Sequence, residues 1–334
     1  MQKRLEITMR ISCAHLQLWH FNIFFVISVD CLWQEGAWDS TWDNWWHYKE
    51  GAIGGPSHWG RASMMFSDDI WPACAKGHLQ SPINIRLSDL IFDHTLKPLS
   101  IDGVSSKLAF GVVNAGQDVY FQPEPNESSV YFRDGPLSYR YRLYGGVIKF
   151  GSTSKVGSEH QIDGKTFSGE IQLYAYNSDL YHNFTLAVSR PNGLAAVSLF
   201  LQIGQSPTPD ISALLSTMAE VRLKGHRRTL YGLILQTLLP NTHEFITYQG
   251  SLGFPACHET VTWILLNAPV TVTEEQMKGL RDLRMSEFKN AGAMADNYRP
   301  VQKSNNRFIR TNIYFNASEY RQCVVPPRVS YECE

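Results

Sequence analysis

The chain has 334 residues, of which 43% are hydrophobic and 18% are charged, and its formal net charge is −1 at pH 7. This length suits one large domain or two smaller ones, and no change in composition marks a boundary between two. A chain so close to neutral produces no long-range electrostatic field, so its composition gives no support for nucleic-acid binding or for attraction to an anionic membrane.

Residues 1–30 begin with a basic segment and continue into a short apolar run. This order is typical of a secretory signal peptide, and the run is too short to anchor the chain across a bilayer. His20 and Asn22 interrupt the run, which leaves a buried terminal strand or helix as the alternative. No second apolar stretch reaches membrane-spanning length, so we expect a secreted, extracellular protein without a membrane span.

Aromatic residues are dense in the segment that follows, where Trp45, Trp46, Tyr48 and Trp59 occur among glycines and histidines. Such side chains are more typical of core packing than of a ligand-binding site. His47 and His58 have no partner at metal-ligand spacing, so we interpret them as surface or packed histidines.

Two strands joined by a polar loop are predicted at Tyr139 to Phe150 and at Thr166 to Tyr176, because aromatic and branched residues dominate both runs. Side chains alternate between the two faces of a strand. Alternation therefore predicts one shared face on the first strand, made of Tyr141, Leu143, Gly145, Val147 and Lys149. On the second strand it groups Glu170, Gln172 and Tyr174.

Two helices are predicted in the second half of the chain. Asp210 can cap a run whose apolar residues recur at helical spacing, namely Ile211, Leu214, Leu215 and Met218. Thr273 and Gln276 have the spacing of a capping box. Between the two helices, residues 261–266 alternate as a strand does.

Six cysteines are present, of which Cys13 and Cys31 lie in or beside the predicted signal segment. The remaining four form an even number, as expected for an oxidised, secreted chain. Cys323 and Cys333 lie in a polar tail at 321–334 and can pair with each other or with another chain. Three glycosylation sequons, at Asn126, Asn183 and Asn316, agree with secretion.

Ordered motifs from about Trp42 to Asn316 resemble the α-class carbonic anhydrases: QSPINI at 80–85, GSEH at 157–160, ITYQGSL at 246–252, TWILLNAPVTVTEEQM at 262–277 and NYRPVQ at 297–302. The run GSEHQIDGKTFSGEIQLYAYN resembles in particular the secreted, inactive carbonic anhydrase-related proteins of the X and XI type. The resemblance implies a mainly β (α+β) fold at 31–320: one domain on a large, twisted, mostly antiparallel sheet with a few peripheral helices. It also implies a disulfide between Cys74 and Cys257, to which two buried free thiols are the alternative.

The resemblance places the zinc-ligand positions of active members at Val147, Lys149 and Gln172, none of which is histidine. Zinc hydration chemistry needs three neutral imidazoles and one open coordination position. Val147 offers no lone pair, Gln172 is a weak ligand, and the ammonium of Lys149 would repel a dication. We therefore expect no zinc cofactor and no enzyme activity.

At the other site positions, the sequence keeps some of the residue types of active members and replaces others. The resemblance maps the supporting carboxylates onto Glu159 and Glu170, with His160 beside them. It maps the hydroxyl residue that orients the reacting water onto Gly253, and the proton-shuttle histidine onto Gln117, whose amide does not titrate near neutral pH.

Burying the two carboxylates without a metal ion is costly, which suggests a role for Lys149. Alternation points Lys149 into the same cavity, so we expect its ammonium to act as an internal counter-charge, nearest Glu170. The alternative is that Lys149 extends out of the cleft to water.

Two functions remain open. One is a non-catalytic, secreted interaction protein, whose partner the resemblance implies to be a neuronal cell-surface receptor of the neurexin kind. The other is a residual hydrolase or small-ligand binder in the old cleft, which Tyr144, Tyr174 and Phe254 could either line or fill. Glu159 and His160 are adjacent in sequence and would point to opposite faces of a strand, so they form a weak acid–base pair.

Overall fold

The computed structural model describes residues 46–60 and 71–314, which belong to one compact unit. The expectations for the signal segment with Cys13 and Cys31, for Trp45, for Asn316 and for the tail with Cys323 and Cys333 lie outside the described residues. In the two described ranges, no helix is long and apolar enough to cross a membrane.

Fifteen strands occur in the described residues. In chain order they are β1 (Asn84–Ile85), β2 (Leu90–Phe92), β3 (Leu99–Asp102), β4 (Lys107–Asn114), β5 (Val119–Pro123), β6 (Tyr131–Asp134), β7 (Leu137–Phe150), β8 (Gln161–Ile162), β9 (Gly169–Asn177), β10 (Leu194–Ile203), β11 (Arg227–Ile234), β12 (Phe245–Gly250), β13 (Val261–Leu266), β14 (Val270–Val272) and β15 (Ile309–Thr311).

Helices are fewer in the same described ranges, and most of them are short. They are α1 (Pro72–Lys76), α2 (Phe184–Ala187), α3 (Pro209–Glu220), α4 (Leu235–Leu238) and α5 (Glu274–Arg281), and single 3-10 turns form at Pro56–His58 and Leu87–Asp89.

Thirteen of the strands make one sheet, in the order β11-β4-β5-β7-β9-β10-β13-β12-β15-β2, with β14 beside β10 and with β3 and β6 extending from β7. Most neighbouring strands are antiparallel; β10 runs parallel to β13 and β14, and β15 runs parallel to β2. Strands β1 and β8 form a separate parallel pair. The prediction of a mainly β, single-domain fold on a large, mostly antiparallel sheet is confirmed.

Strands β7 and β9 pair in the middle of this sheet, where Val147 lies opposite Gln172 and Lys149 lies opposite Glu170. All nine residues of β9 are buried. Its alternate side chains enter two different apolar clusters, with Leu173 in one and Tyr174 in the other. A strand covered on both faces is a rigid platform, because neither face can move without disturbing a packed layer.

The prediction that alternate residues of β7 share one face is wrong for the first part of the strand. Tyr141 and Leu143 pack in the same cluster as Leu173, whereas Val147 packs in the cluster of Tyr174 on the other side. The register between β7 and β9 shifts between Leu143 and Gly145. A β-bulge there adds one residue to β7 and inverts the alternation beyond it, so only the later part of the strand faces the site.

The two predicted helices exist, but one cap was assigned wrongly. Thr208, not Asp210, caps α3, because its hydroxyl accepts the N–H of Ile211. Asp210 lies inside the first turn, and its carboxylate accepts hydrogen bonds from Ile234 N and from the hydroxyl of Thr237. In α5 both reciprocal bonds of the predicted capping box form, between Thr273 and Gln276.

A disulfide joins Cys74 on α1 to Cys257, 183 residues later in the chain, as the resemblance implied. A cross-link across so long a loop restricts the unfolded chain strongly. We expect Cys74→Ser/Cys257→Ser to lower the free energy of unfolding by about 2–4 kcal/mol, measured by urea denaturation. Reductant should destabilise the wild type and leave the double variant unchanged; equal sensitivity of both proteins would contradict the assignment.

Candidate functional site

Three side chains from β7 and β9 form the floor of the site: Val147, Lys149 and Gln172. Each has no solvent-exposed surface at all. Val147 packs in the apolar cluster that contains Tyr174. The positions that the sequence analysis grouped together therefore do lie together, but water does not reach them.

Lys149 is held by two direct hydrogen bonds. Its Nζ donates to Asp118 Oδ1 at 2.8 Å and to the hydroxyl of Tyr48 at 2.7 Å, and lies 4.4 Å from the centre of the Tyr48 ring. The distance from Nζ to Glu159 Oε1 is 3.7 Å, which is an ion pair without a direct hydrogen bond. The expectation of Glu170 as nearest partner is wrong, and so is the alternative that Lys149 extends to water.

Asp118, which immediately precedes β5, is the partner that the sequence analysis missed. Its Oδ2 accepts from the Tyr48 hydroxyl at 2.8 Å, and its Oδ1 accepts from Asn297 Nδ2 at 3.0 Å. Burial, and then the charges of Asp118 and Glu159, raise the pKa of Tyr48 well above its ordinary value. Tyr48 therefore stays protonated and remains a hydrogen-bond donor. Its packing role was predicted; its polar role had no signal in the sequence.

Asn297 connects this pair to the C-terminal part of the chain. Its Nδ2 also donates to the carbonyl of Ile148 at 2.9 Å, and its Oδ1 accepts the N–H of Phe150 at 2.9 Å. One buried amide thus binds both backbone groups that flank Lys149, and fixes the strand that presents the ammonium to Asp118.

Glu159 lies on the other side of the ammonium and is buried. Its Oε1 accepts Arg299 N at 2.9 Å, and its Oε2 accepts Gln172 Nε2 at 2.9 Å. Burial raises the pKa of Glu159, and the positive charge of Lys149 opposes that shift. A Cβ atom at Gly253 would lie 2.5 Å from Glu159 Oε2, so the carboxylate takes the space that a side chain at residue 253 would need.

Glu170 belongs to a second network. Its Oε1 lies 2.8 Å from His160 Nδ1, and the hydroxyl of Tyr248 lies 2.6 Å from His160 Nε2. Burial alone would raise the pKa of Glu170, but the attraction of His160 and the hydrogen bonds that Glu170 accepts together lower it to about 2. His160 therefore partners Glu170, and not its sequence neighbour Glu159.

Gln172 bridges the two carboxylates. Its Nε2 donates to Glu159 Oε2 and, at 3.0 Å, to Glu170 Oε1, and its Oε1 accepts the Tyr174 hydroxyl at 2.8 Å. Both donors and the acceptor of this amide are in use. The side chain of Gln117 is half-buried and donates to Trp46 O at 3.2 Å.

A zinc ion does not fit these side chains. Val147 supplies no lone pair, and the amide of Gln172 already uses all its hydrogen-bonding groups. The buried ammonium of Lys149 would repel a dication bound beside it. Among the residues that the structure describes, no group of three His, Cys, Asp or Glu side chains is arranged to hold a metal ion. His47 and His58 each contact a near neighbour in sequence, Ile53 O and Ser57 Oγ.

Aromatic rings pack beside the floor. Tyr174 is fully buried and meets the rings of Phe254 and Trp263 edge-on, with centres 6.1 and 5.8 Å apart. Tyr144 stacks on Phe184 with ring centres 3.9 Å apart. Tyr174 and Phe254, whose role was open, are both buried and pack against each other beside Gln172.

Two of the predicted glycosylation sites lie in the described residues. Asn126 is exposed, in a turn between β5 and β6, with φ of 73°. Asn183 is half-buried and caps α2, because its Oδ1 accepts Leu186 N at 2.9 Å. Asn126 is therefore the more accessible of the two.

Comparison with known proteins gives two findings. A model of the eukaryotic-type carbonic anhydrase family matches residues 54–313. A Caenorhabditis elegans protein named carbonic anhydrase-like protein 2 is 38% identical over 266 residues, which cover 78% of this chain and 77% of that relative.

Proposed function

Because the chain belongs to the eukaryotic-type carbonic anhydrase family, we propose that it is a non-catalytic member that acts as a secreted, extracellular protein-interaction module. In this proposal an ion-paired lysine has replaced the catalytic metal, and the anhydrase scaffold serves to present a surface. The "-like" in the name of the nematode relative agrees with a role apart from the ordinary catalysis of the family.

One observation carries the proposal, namely the environment of Lys149. The buried ammonium lies between Asp118 at 2.8 Å and Glu159 at 3.7 Å. The carboxylates of this cavity thus already have a counter-charge, and a second cation would add repulsion in a region of low dielectric constant. No imidazole occupies any of the three positions that the resemblance assigns to zinc ligands, Val147, Lys149 and Gln172.

The test is the zinc content of the purified protein after dialysis, measured together with its rate of carbon dioxide hydration. We expect substoichiometric zinc and no rate above that of the buffer, while an active zinc anhydrase dialysed in parallel retains both. Stoichiometric zinc with turnover would overturn the proposal and would place the metal on other residues.

Several observations support the proposed extracellular location. A disulfide persists in oxidising compartments, and this chain forms one between Cys74 and Cys257. Asn126 offers an exposed sequon. Together with the signal-like start of the chain, they support secretion, which is tested by recovery of a glycosylated protein from the medium of expressing cells.

For the partner, we propose a cell-surface receptor of the neurexin kind, on the strength of the resemblance to the X and XI type. Capture of purified receptor ectodomains by the immobilised protein tests it. Failure to bind would remove this partner and leave the loss of zinc chemistry as a separate question. The alternative, a hydrolase or ligand binder in the cleft, is not favoured, because the floor residues are inaccessible to solvent and Tyr174 and Phe254 are buried as well.

A further inference from the structure

A second feature lies away from the buried site, in a solvent-open depression of about 360 Å³. Its two walls are the segment that follows α3 and the segment that follows α5. The lining residues are Arg222, Leu223, His226, Asp282, Arg284 and Lys289. Three of these six side chains carry a permanent positive charge, although the whole chain has a net charge of −1.

The positive charges in the depression are only partly neutralised. Arg222 Nη2 pairs with Asp282 Oδ2 at 3.1 Å, and both side chains are more than half exposed. Within residues 46–60 and 71–314, neither Arg284 nor Lys289 forms an ion pair. Counting Arg222, Arg284 and Lys289 against Asp282 leaves a local charge of about +2 with His226 neutral.

The walls are fixed by buried hydrogen bonds. Asn114 at the end of β4 has no exposed surface, and its Nδ2 donates to Val221 O at 2.9 Å and to Arg284 O at 3.2 Å. Arg284 N donates directly to Arg222 O at 2.8 Å. One buried amide therefore binds both walls, so the backbone positions from which Arg222 and Arg284 extend are set before any ligand arrives. A preformed site loses less conformational entropy on binding.

The size and chemistry of the depression indicate the ligand. A guanidinium group can bind two oxygens of one sulfate or phosphate group at the same time. Several guanidinium groups close together therefore favour a ligand with sulfate or phosphate groups over one with a single carboxylate. Small-molecule pockets typically enclose about 300–1,000 Å³, so the volume exceeds what one bare ion needs. The lining contains one leucine and, histidine apart, no aromatic ring, so it offers no platform for stacking a nucleobase.

We propose that this depression binds a small polyanion that carries sulfate or phosphate esters on a sugar-like ring. Arg222 and Arg284 hold the ester groups, and Lys289 supplies a third charge at the rim. The proposal does not depend on the loss of zinc chemistry, because none of these residues contacts the buried site.

Isothermal titration of the full chain tests the proposal with two probes, a trisulfated disaccharide and inositol trisphosphate. We expect at least one of them to bind, with affinity that falls between about 50 and 300 mM salt as screening increases. Arg284→Gln/Lys289→Gln should weaken binding at least about tenfold. The matched control, Lys97→Gln/Arg190→Gln, removes the same net charge from exposed positions elsewhere and should leave affinity within about twofold.

The outcomes separate clearly. Binding of the disaccharide alone identifies a sulfated saccharide as the ligand class, and binding of inositol trisphosphate alone identifies a phosphorylated cyclitol. Absence of binding by the wild type up to about 1 mM of either probe overturns the proposal. Equal weakening in the two double variants also overturns it, since it would show a response to net charge and not to this depression.

Discussion

Replacing Lys149 with methionine is expected to lower the free energy of unfolding by about 3–5 kcal/mol, because it leaves two buried carboxylates without their counter-charge. Methionine retains the length of the apolar stem, so the loss reports the ammonium and not a cavity. The groups deprived of it are Asp118, at 2.8 Å, and Glu159, at 3.7 Å. Urea denaturation measures the change, and thermal unfolding should show a midpoint lower by about 5–8 °C.

Two further variants make this result specific. Arg133→Met removes an ion-paired cation from the surface and should have a much smaller effect, since water screens its pairs with Asp102 and Asp134. The double variant Lys149→Met/Asp118→Asn should lose less free energy of unfolding than the two single variants lose together. The reason is that Asp118→Asn removes the negative charge that Lys149→Met leaves without a counter-charge. A Lys149→Met protein as stable as Arg133→Met would refute the counter-charge role.

The second large effect is expected from Glu170→Gln, at about 3–5 kcal/mol of lost stability. The carboxylate accepts five hydrogen bonds and donates none. Its Oε2 accepts the backbone N–H groups of Glu159 and His160, and its Oε1 accepts from His160 Nδ1, Gln172 Nε2 and Ser198 Oγ. Glutamine has a single acceptor oxygen, so its NH₂ group must face donors. Urea denaturation at neutral pH measures the loss.

The pH dependence of stability distinguishes this variant from a merely misfolded one. The pKa of Glu170 falls from an ordinary 4.5 to about 2 on folding. Because the pKa is lower in the folded state, Glu170 contributes its full stabilisation, about 3 kcal/mol, at pH values above 4.5. This contribution is lost as the pH falls from 4.5 toward 2. The stability difference between wild type and Glu170→Gln should therefore shrink over that interval. Glu287→Gln, an exposed control, should follow the wild type at every pH; a difference that stays constant for Glu170→Gln would contradict the assignment.

Local signals in the sequence predicted local structure well. The capping box at Thr273 and Gln276 depends on residues three apart, and both of its hydrogen bonds form. Alternation in β13 also holds, with Trp263 packed on one side of the sheet and Ile264 on the other. Such features are set by the dihedral angles of a few consecutive residues, which is why a short stretch of sequence suffices to predict them.

Features that depend on distant parts of the chain were predicted less well. Lys149 was correctly expected to lie buried among acidic groups. Its partner is nevertheless Asp118, because Glu170, the residue opposite Lys149 on the neighbouring strand, is already bonded to His160. Nothing in the sequence around Asp118 marks it as that partner, because the pairing is decided by how two strands pack. The bulge after Leu143 is invisible for the same reason: it appears only in the register between β7 and β9.

The contacts of Asn297 and Arg299 have a consequence for synthesis of the chain. Asn297 reaches back 179 residues to Asp118, and Arg299 reaches back 219 residues to Gln80. A nascent chain still bound to the ribosome before these residues emerge has made most of its strands but cannot complete the cavity around its buried charges. Folding dominated by such separated contacts is slow, and the incomplete intermediate exposes apolar strands. The cavity around the buried charges is therefore completed late in synthesis, once Asn297 and Arg299 are available to bind Asp118 and Gln80.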